Sequence, residues 1–386
     1  MFGKLVLQGA LAIVLMVPGI SRAEDIPTAP KATPMRSPEA ALAWEQLIKA
    51  ARAEGKVEVA LAGQVPLKLR PGIREFEKTY AIKVNSQAGA SNDFAARILA
   101  ERRVGRYNLD VRIGGANTAL VQLMPANAMA PIDTLLADPE VTDRSLWFHG
   151  THHYTDLEGR YIFAFGASPA YNVSINTKLV KPDEIKSYAD LLDPKWKGKI
   201  VSWSPSDQGT GASSIPLFLN PKIGEAWFRR WAQEMNVTIV KDPRQGAEWV
   251  ALGRFPIGMF GLNTQAEVLA GEGFPIQGYL PHPMAEGEIL SSSAANIMVM
   301  GNAPNPNATK LFVNWFLSRE GQAVFIKFAE KMDTLRVDVP KDGVPEQHRI
   351  RPDRDYMLPF TDPEYTNRQT EILGRLKGIM QVAGYK

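Results

Sequence analysis

Lys56-Val57-Glu58-Val59-Ala60-Leu61-Ala62, then Gly63-Gln64-Val65-Pro66, then a helical pattern from Leu67 to Tyr80 and Ile82-Lys83-Val84, reads as strand, loop, helix and strand, a β-α-β unit. The alternation repeats. Gly89-Ala90-Ser91-Asn92-Asp93 ends one strand and caps a helix from Phe94 to Arg103; Leu109-Asp110-Val111-Arg112-Ile113 is the next strand, and Gly114-Gly115-Ala116-Asn117 turns into Thr118 to Met124. Strands alternating with helices predict an α/β fold with a parallel sheet and ligand groups at the carboxyl ends of the strands, Rossmann-like in general architecture. A dinucleotide site is excluded, because Gly114-Gly115 and Gly209-Thr210-Gly211 each lack the third spaced glycine and the acidic residue about 20 positions on.

Upstream, Ser37-Pro38-Glu39-Ala40 predicts a helix start, with Leu42, Trp44, Leu47 and Ile48 as its apolar stripe. Residues 24–37 carry Pro27, Pro30 and Pro34 without periodicity and read as a flexible leader. Lys4, the apolar run Leu5 to Ile20 and Ser21-Arg22-Ala23 have the layout of a secretory signal peptide over residues 1–23, which predicts a periplasmic protein. Its removal takes Lys4 and Arg22 and no acid, so the formal charge falls from +3 to +1. Acids and bases are interspersed along the chain, which argues against a nucleic-acid partner. The absence of cysteine excludes disulfides, thiolate metal sites and a lipidated cysteine. The length predicts two domains.

A second unit is entered at Tyr161-Ile162-Phe163-Ala164-Phe165 and Tyr171-Asn172-Val173-Ser174-Ile175-Asn176, and left through Ser291-Ser292-Ser293 and Ala294 to Met300. Two crossings predict a two-strand hinge. The expected division is residues 38–165 plus 290–386 for lobe one with a C-terminal extension, and 166–289 for lobe two. In the extension, Ile372, Leu373, Leu376 and Ile379 form an apolar helical face that packs on a lobe. Deleting it is expected to lower stability and spare the ligand cleft.

Tyr188-Ala189-Asp190-Leu191-Leu192-Asp193-Pro194-Lys195-Trp196-Lys197-Gly198-Lys199-Ile200 and the later Ala303-Pro304-Asn305-Pro306-Asn307-Ala308-Thr309-Lys310-Leu311-Phe312-Val313-Asn314-Trp315-Phe316-Leu317-Ser318-Arg319-Glu320-Gly321-Gln322 resemble segments of the bacterial extracellular solute-binding proteins of the ferric-iron-transporter type. That resemblance implies a two-lobed, type II periplasmic-binding fold, a monomer, no cofactor, and delivery of a solute to an ABC importer permease. Leu191, Leu192, Trp196, Leu311, Val313, Phe316 and Leu317 read as core, so both motifs mark structure and not ligand.

Candidate ligand residues are drawn from glycine-, hydroxyl- and amide-rich loops at strand ends: Gly63 and Gln64; Ser91 and Asn92; Gly115, Asn117 and Thr118; and Asp207, Gln208, Gly209, Thr210 and Gly211. Asn263 and Ser291 join them, with Arg336 as a candidate cation that Asp338 could instead pair at the surface. Helix starts leave N–H groups free for a ligand oxygen, so a small anion is the expected solute, with the Thr210 hydroxyl among its donors and Thr210→Phe expected to block it. Ferric relatives use adjacent tyrosines; here ten tyrosines include no Tyr-Tyr pair, which disfavours direct ferric binding, and a ferric-iron or ferric-chelate binding protein is the alternative. His149, His152 and His153 match no zinc spacing, read as a solvated loop, and no metal site is expected. No nucleophile elbow, Walker loop or His-Glu-x-x-His motif is present, so an enzyme is not expected. A ligand sensor of a signalling receptor would share the fold.

Overall fold

The computed structural model describes residues 37–63, 67–207 and 210–385. The expected signal peptide, the leader up to residue 36, and the candidates Gln64, Gln208 and Gly209 lie outside the described residues.

The first helix, α1 (Pro38–Glu54), starts where expected: Ser37 Oγ accepts the Ala40 N–H at 3.2 Å, and Gly55, at φ 74°, closes the other end in the left-handed conformation. Then follow β1 (Lys56–Ala62), α2 (Arg70–Tyr80), β2 (Lys83–Gly89), α3 (Ser91–Arg103) and β3 (Val111–Gly114). Next, α4 (Ala116–Thr118) runs on into a π turn at Ala119–Leu123, and β4 (Met129–Ala130), β5 (His153–Tyr154) and β6 (Phe163–Ala164) complete this part of the chain. β7 (Gly166–Ala170) and β8 (Val173–Asn176) lead to β9 (Ile200–Trp203), α5 (Gly211–Leu219), α6 (Gly224–Glu234), β10 (Thr238–Val240), α7 (Pro243–Ala251), β11 (Ile257–Met259), α8 (Asn263–Gly271) and β12 (Ile276–Gln277). The chain returns through β13 (Glu288–Ser291) and β14 (Asn296–Met300), then α9 (Pro306–Leu317), α10 (Arg319–Ala329), β15 (Asp333–Thr334), β16 (Tyr356–Met357) and α11 (Pro363–Val382).

These strands form two separate α/β sheets and a small linking sheet. The first has the order β2-β1-β3-β14-β6-β5 with β4 on β14; β1 runs parallel to β2 and β3, and β14 antiparallel to β3. The second has the order β10-β9-β11-β8-β12, with β9 parallel to β10 and β11. Each sheet has its own apolar core: Val59, Ile113, Phe163, Ile297 and the buried helix α9 on one, and Ile175, Ile200, Trp227, Trp231 and Phe260 on the other. Both motif segments are core, as expected: Leu191, Trp196, Leu311, Val313, Phe316 and Leu317 are all buried.

The two expected crossing strands are β7 and β13, paired antiparallel with Ser291 opposite Ser168. Two short strands widen this linker, β15 beside β7 and β16 beside β13. Arg354 ties the returning segment to it, donating through Nη1 to both carboxylate oxygens of Glu288 at 2.8 and 2.9 Å.

One expectation about packing is corrected. The sequence pattern places the C-terminal segment with lobe one, yet Ile372, Leu376, Ile379 and Met380 of α11 are buried in the second sheet's core. The helix runs from Pro363 to Val382, starting before the apolar repeat because Asp362 caps it by accepting the Glu364 N–H.

Candidate functional site

A cleft of about 450 Å³ opens between the two sheets beside the linker. Ala116, Asn117 and Thr155 wall it from the first sheet, Ser291, Ser292 and Ser293 from the linker, Gly211 and Ile215 from the start of α5, and Tyr365, Thr366, Gln369, Thr370 and Leu373 from α11. Every polar side chain of this wall is a hydroxyl or an amide; among the described residues, no Asp, Glu, His, Lys or Arg lines it. Burial pushes the Tyr365 phenol above its ordinary value, so it stays protonated and hydrogen-bonds as a neutral group. The wall suits an oxygen-rich solute held by many neutral hydrogen bonds.

The start of α5 adds backbone donors. A helix leaves its first N–H groups without intrahelical partners, and Thr210, at the cap position, makes no side-chain cap bond to them. Gly211 presents no side chain at that point, so a ligand oxygen can approach the backbone.

Of the sequence candidates, the structure brings Asn117, Gly211 and Ser291 together on the cleft, with Gly115 immediately behind Ala116 in its wall. The others lie elsewhere. Thr210 is almost fully buried, and its hydroxyl donates to the carbonyls of Ser204 at 2.7 Å and Asp207 at 2.8 Å, so it holds its own loop and is no ligand donor. Asp207 accepts the Trp203 indole N–H at 2.6 Å and faces a second hollow beside Lys241 and Lys377. Asn92 accepts from Thr118 and Gln122, both at 3.3 Å, which joins α3 to α4. Ser91 follows the cap residue Ala90, Gly63 sits at φ 104° with its N–H on the Gly89 carbonyl, and Asn263 opens α8. None of these lines the cleft.

Arg336 is a clear correction. Its side chain is 0% exposed and chelates Asp338 through Nε at 2.9 Å and Nη2 at 2.8 Å, while Nη1 donates to the carbonyls of Glu140 and Leu317. The pairing is buried, not superficial, and it is structural. The histidine segment is likewise not a solvated loop: His153 is buried with Nε2 on the Phe148 carbonyl, His152 contacts the Val141 carbonyl, and His149 stacks on Phe148. Among the described residues, no group of three or more His, Asp or Glu could hold a metal ion.

Sequence reasoning missed the α11 residues. Tyr365, Gln369 and Leu373 recur every four positions, as do Thr366 and Thr370, so they share one helix face. That stripe was visible, but without the fold it is an ordinary polar helix face.

Residues 44–323, most of the chain, match the family described as bacterial extracellular solute-binding protein. A protein of Haemophilus influenzae described as uncharacterized is 24% identical over 266 residues, 68% of this chain and 73% of that one. Among solved structures, the Trichodesmium protein IdiA (FutA) in complex with iron and citrate superposes with a TM-score of 0.62 at 19% identity, over 86% of this chain and 100% of that one. The periplasmic binding protein AfuA from Actinobacillus pleuropneumoniae, with fructose-6-phosphate bound, gives 0.53 at 18% identity, over 84% and 98%. The fold is therefore the two-lobed, type II periplasmic-binding architecture, its lobes built on the two α/β sheets and joined by β7 and β13. By the match over most of its length, this chain belongs to the bacterial extracellular solute-binding proteins.

Proposed function

We propose that the protein captures a small, oxygen-rich solute bearing an anionic group in the cleft and delivers it from the periplasm to an ABC-type inner-membrane importer. The observation that carries this reading is the juxtaposition of the α5 start, where Gly211 bares the backbone, with the hydroxyls of Ser291, Ser292 and Ser293 and the amide of Asn117 around one cleft. The N–H groups at a helix start suit an anion without a cation in the cleft wall itself. Both crossings of the linker let the lobes, residues 38–165 with the returning β14, α9 and α10, and residues 166–289 with α11, close on the solute. A sugar phosphate in AfuA and iron with citrate in the Trichodesmium protein are both oxygen-rich solutes of this kind. Bare ferric iron fits less well, because among the described residues the wall has no carboxylate and Tyr365 is held as a neutral phenol.

Gly211→Leu tests the site. A Cβ there meets only ordinary contacts, 3.4 Å to Ile215 Cδ1 and 3.8 Å to Leu373, so the helix tolerates it. The rest of the leucine side chain crowds the helix start. Losing one hydrogen bond to a charged group costs about 1.5 to 3 kcal/mol, so affinity is expected to fall about 10- to 150-fold. Calorimetry with phosphate esters, phosphonates and carboxylates on wild type and Gly211→Leu measures it. Binding of only uncharged or cationic solutes, or unchanged affinity in the variant, contradicts the assignment.

A further inference from the structure

Arg112 sits inside β3, and its side chain is 0% exposed. Its neighbours across the sheet are Ala60 and Met298, both in the apolar layer beneath the α4 turn. Nη1 donates to the Gly115 carbonyl at 3.0 Å and lies 3.2 Å from Met298 Sδ, while Nε and Nη2 have no partner among the described residues. No carboxylate pairs with it among the described residues. Burial alone lowers its pKa to about 10, which still leaves the guanidinium charged at neutral pH. An unpaired buried charge is costly to fold around, and packing alone gives no reason to keep one in a layer of alanine and methionine.

Its position supplies a reason. The carbonyl it holds belongs to Gly115, and the next residues, Ala116 and Asn117, form the cleft wall. Asn296 braces the same place, donating to the carbonyls of Gly114 at 3.3 Å and Ser293 at 3.0 Å, and Ser293 also lines the cleft. The guanidinium is therefore fully buried and bonded to the backbone that leads directly into a wall of neutral groups. A charge screened so little acts strongly at short range.

We infer that Arg112 is the cation that sets the cleft's preference for an anionic solute, a positioning residue acting through the Gly115–Asn117 wall without touching the solute. The inference rests on the anion reading above and deepens it. Its test compares wild type with Arg112→Lys, which keeps the charge, and with Arg112→Met and Arg112→Gln, which remove it. Calorimetry with inorganic phosphate, glycerol 3-phosphate and citrate, against glycerol as the neutral probe, is combined with melting curves. Wild type is expected to bind at least one of the anions in preference to glycerol. Both neutral variants are expected to melt no lower than wild type and to lose at least about tenfold in anion affinity, about 1.4 kcal/mol, while Arg112→Lys stays within a few-fold. Equal anion affinity in wild type and the neutral variants overturns the inference and leaves the anion reading standing. Neutral variants that melt well below wild type while Arg112→Lys does not mark the guanidinium as structural and overturn it too. A wild type that takes none of the three anions overturns both.

Discussion

Truncation before Pro363 will cost the protein both its second core and its solute. Ile372 is fully buried, and Leu376, Ile379 and Met380 are at most 5% exposed, all inside the second sheet's core. Replacing one such residue by alanine costs about 2 to 5 kcal/mol, so Leu376→Ala alone removes a large share of the roughly 5 to 15 kcal/mol that stabilises a typical domain. Deleting the whole helix also breaks the Arg375–Glu225 ion pair and the bond from the Val237 N–H to the Tyr385 hydroxyl at 2.9 Å. The same cut removes Tyr365, Gln369 and Thr370 from the cleft wall. The sequence-based expectation that such a deletion spares the cleft is thus reversed. Urea unfolding followed by tryptophan fluorescence, together with calorimetry, separates the effects: Leu376→Ala lowers stability first, whereas Gln369→Ala with Thr370→Ala lowers affinity with little change in stability. A truncated chain that melts and binds like the full one refutes both roles.

Arg336→Met is expected to destabilise the first lobe by about 3 to 5 kcal/mol, because it leaves the buried Asp338 carboxylate uncompensated. The loss extends beyond one ion pair. Arg336 also bridges the Glu140 and Leu317 carbonyls and lies 5.5 Å from the Trp147 ring centre, so it joins three separate segments. Solute affinity, measured well below the melting temperature, should not change, since the buried side chain does not line the cleft. Arg336→Met with Asp338→Asn should cost less than the sum of the single changes, as expected for residues in one network. A normal melt with lost affinity would return Arg336 to the ligand site.

How much was legible in the sequence follows from how local each signal is. The α1 cap at Ser37, strand β1 and the core role of Leu311, Phe316 and Trp196 depend on short-range pattern and stand as expected. The linker's outer strands, β15 and β16, are two residues each and carry no period of their own, so only the assembled sheet reveals them. Arg112 alternates with Val111 and Ile113, which in one strand places it on the opposite face; nothing local says that this face is also buried. The spacing of Arg336 and Asp338 announced a pair, but its burial depends on Trp147 and α9, far away in sequence. Thr210 misled for a related reason: a hydroxyl in a polar loop can serve a ligand or the loop, and here the Ser204 and Asp207 carbonyls take it.

The central claim is that a solute is held between the lobes by the α4 wall, the linker serines, the α5 start and α11 together. Amide hydrogen exchange tests it most directly, read by mass spectrometry with and without the anion that calorimetry finds to bind most tightly. Protection is predicted to rise jointly in residues 115–118, 211–215, 291–293 and 365–373, with little change around the buried Arg336. Protection confined to one lobe, or centred on the hollow lined by Asp207, Lys241 and Lys377, would contradict it.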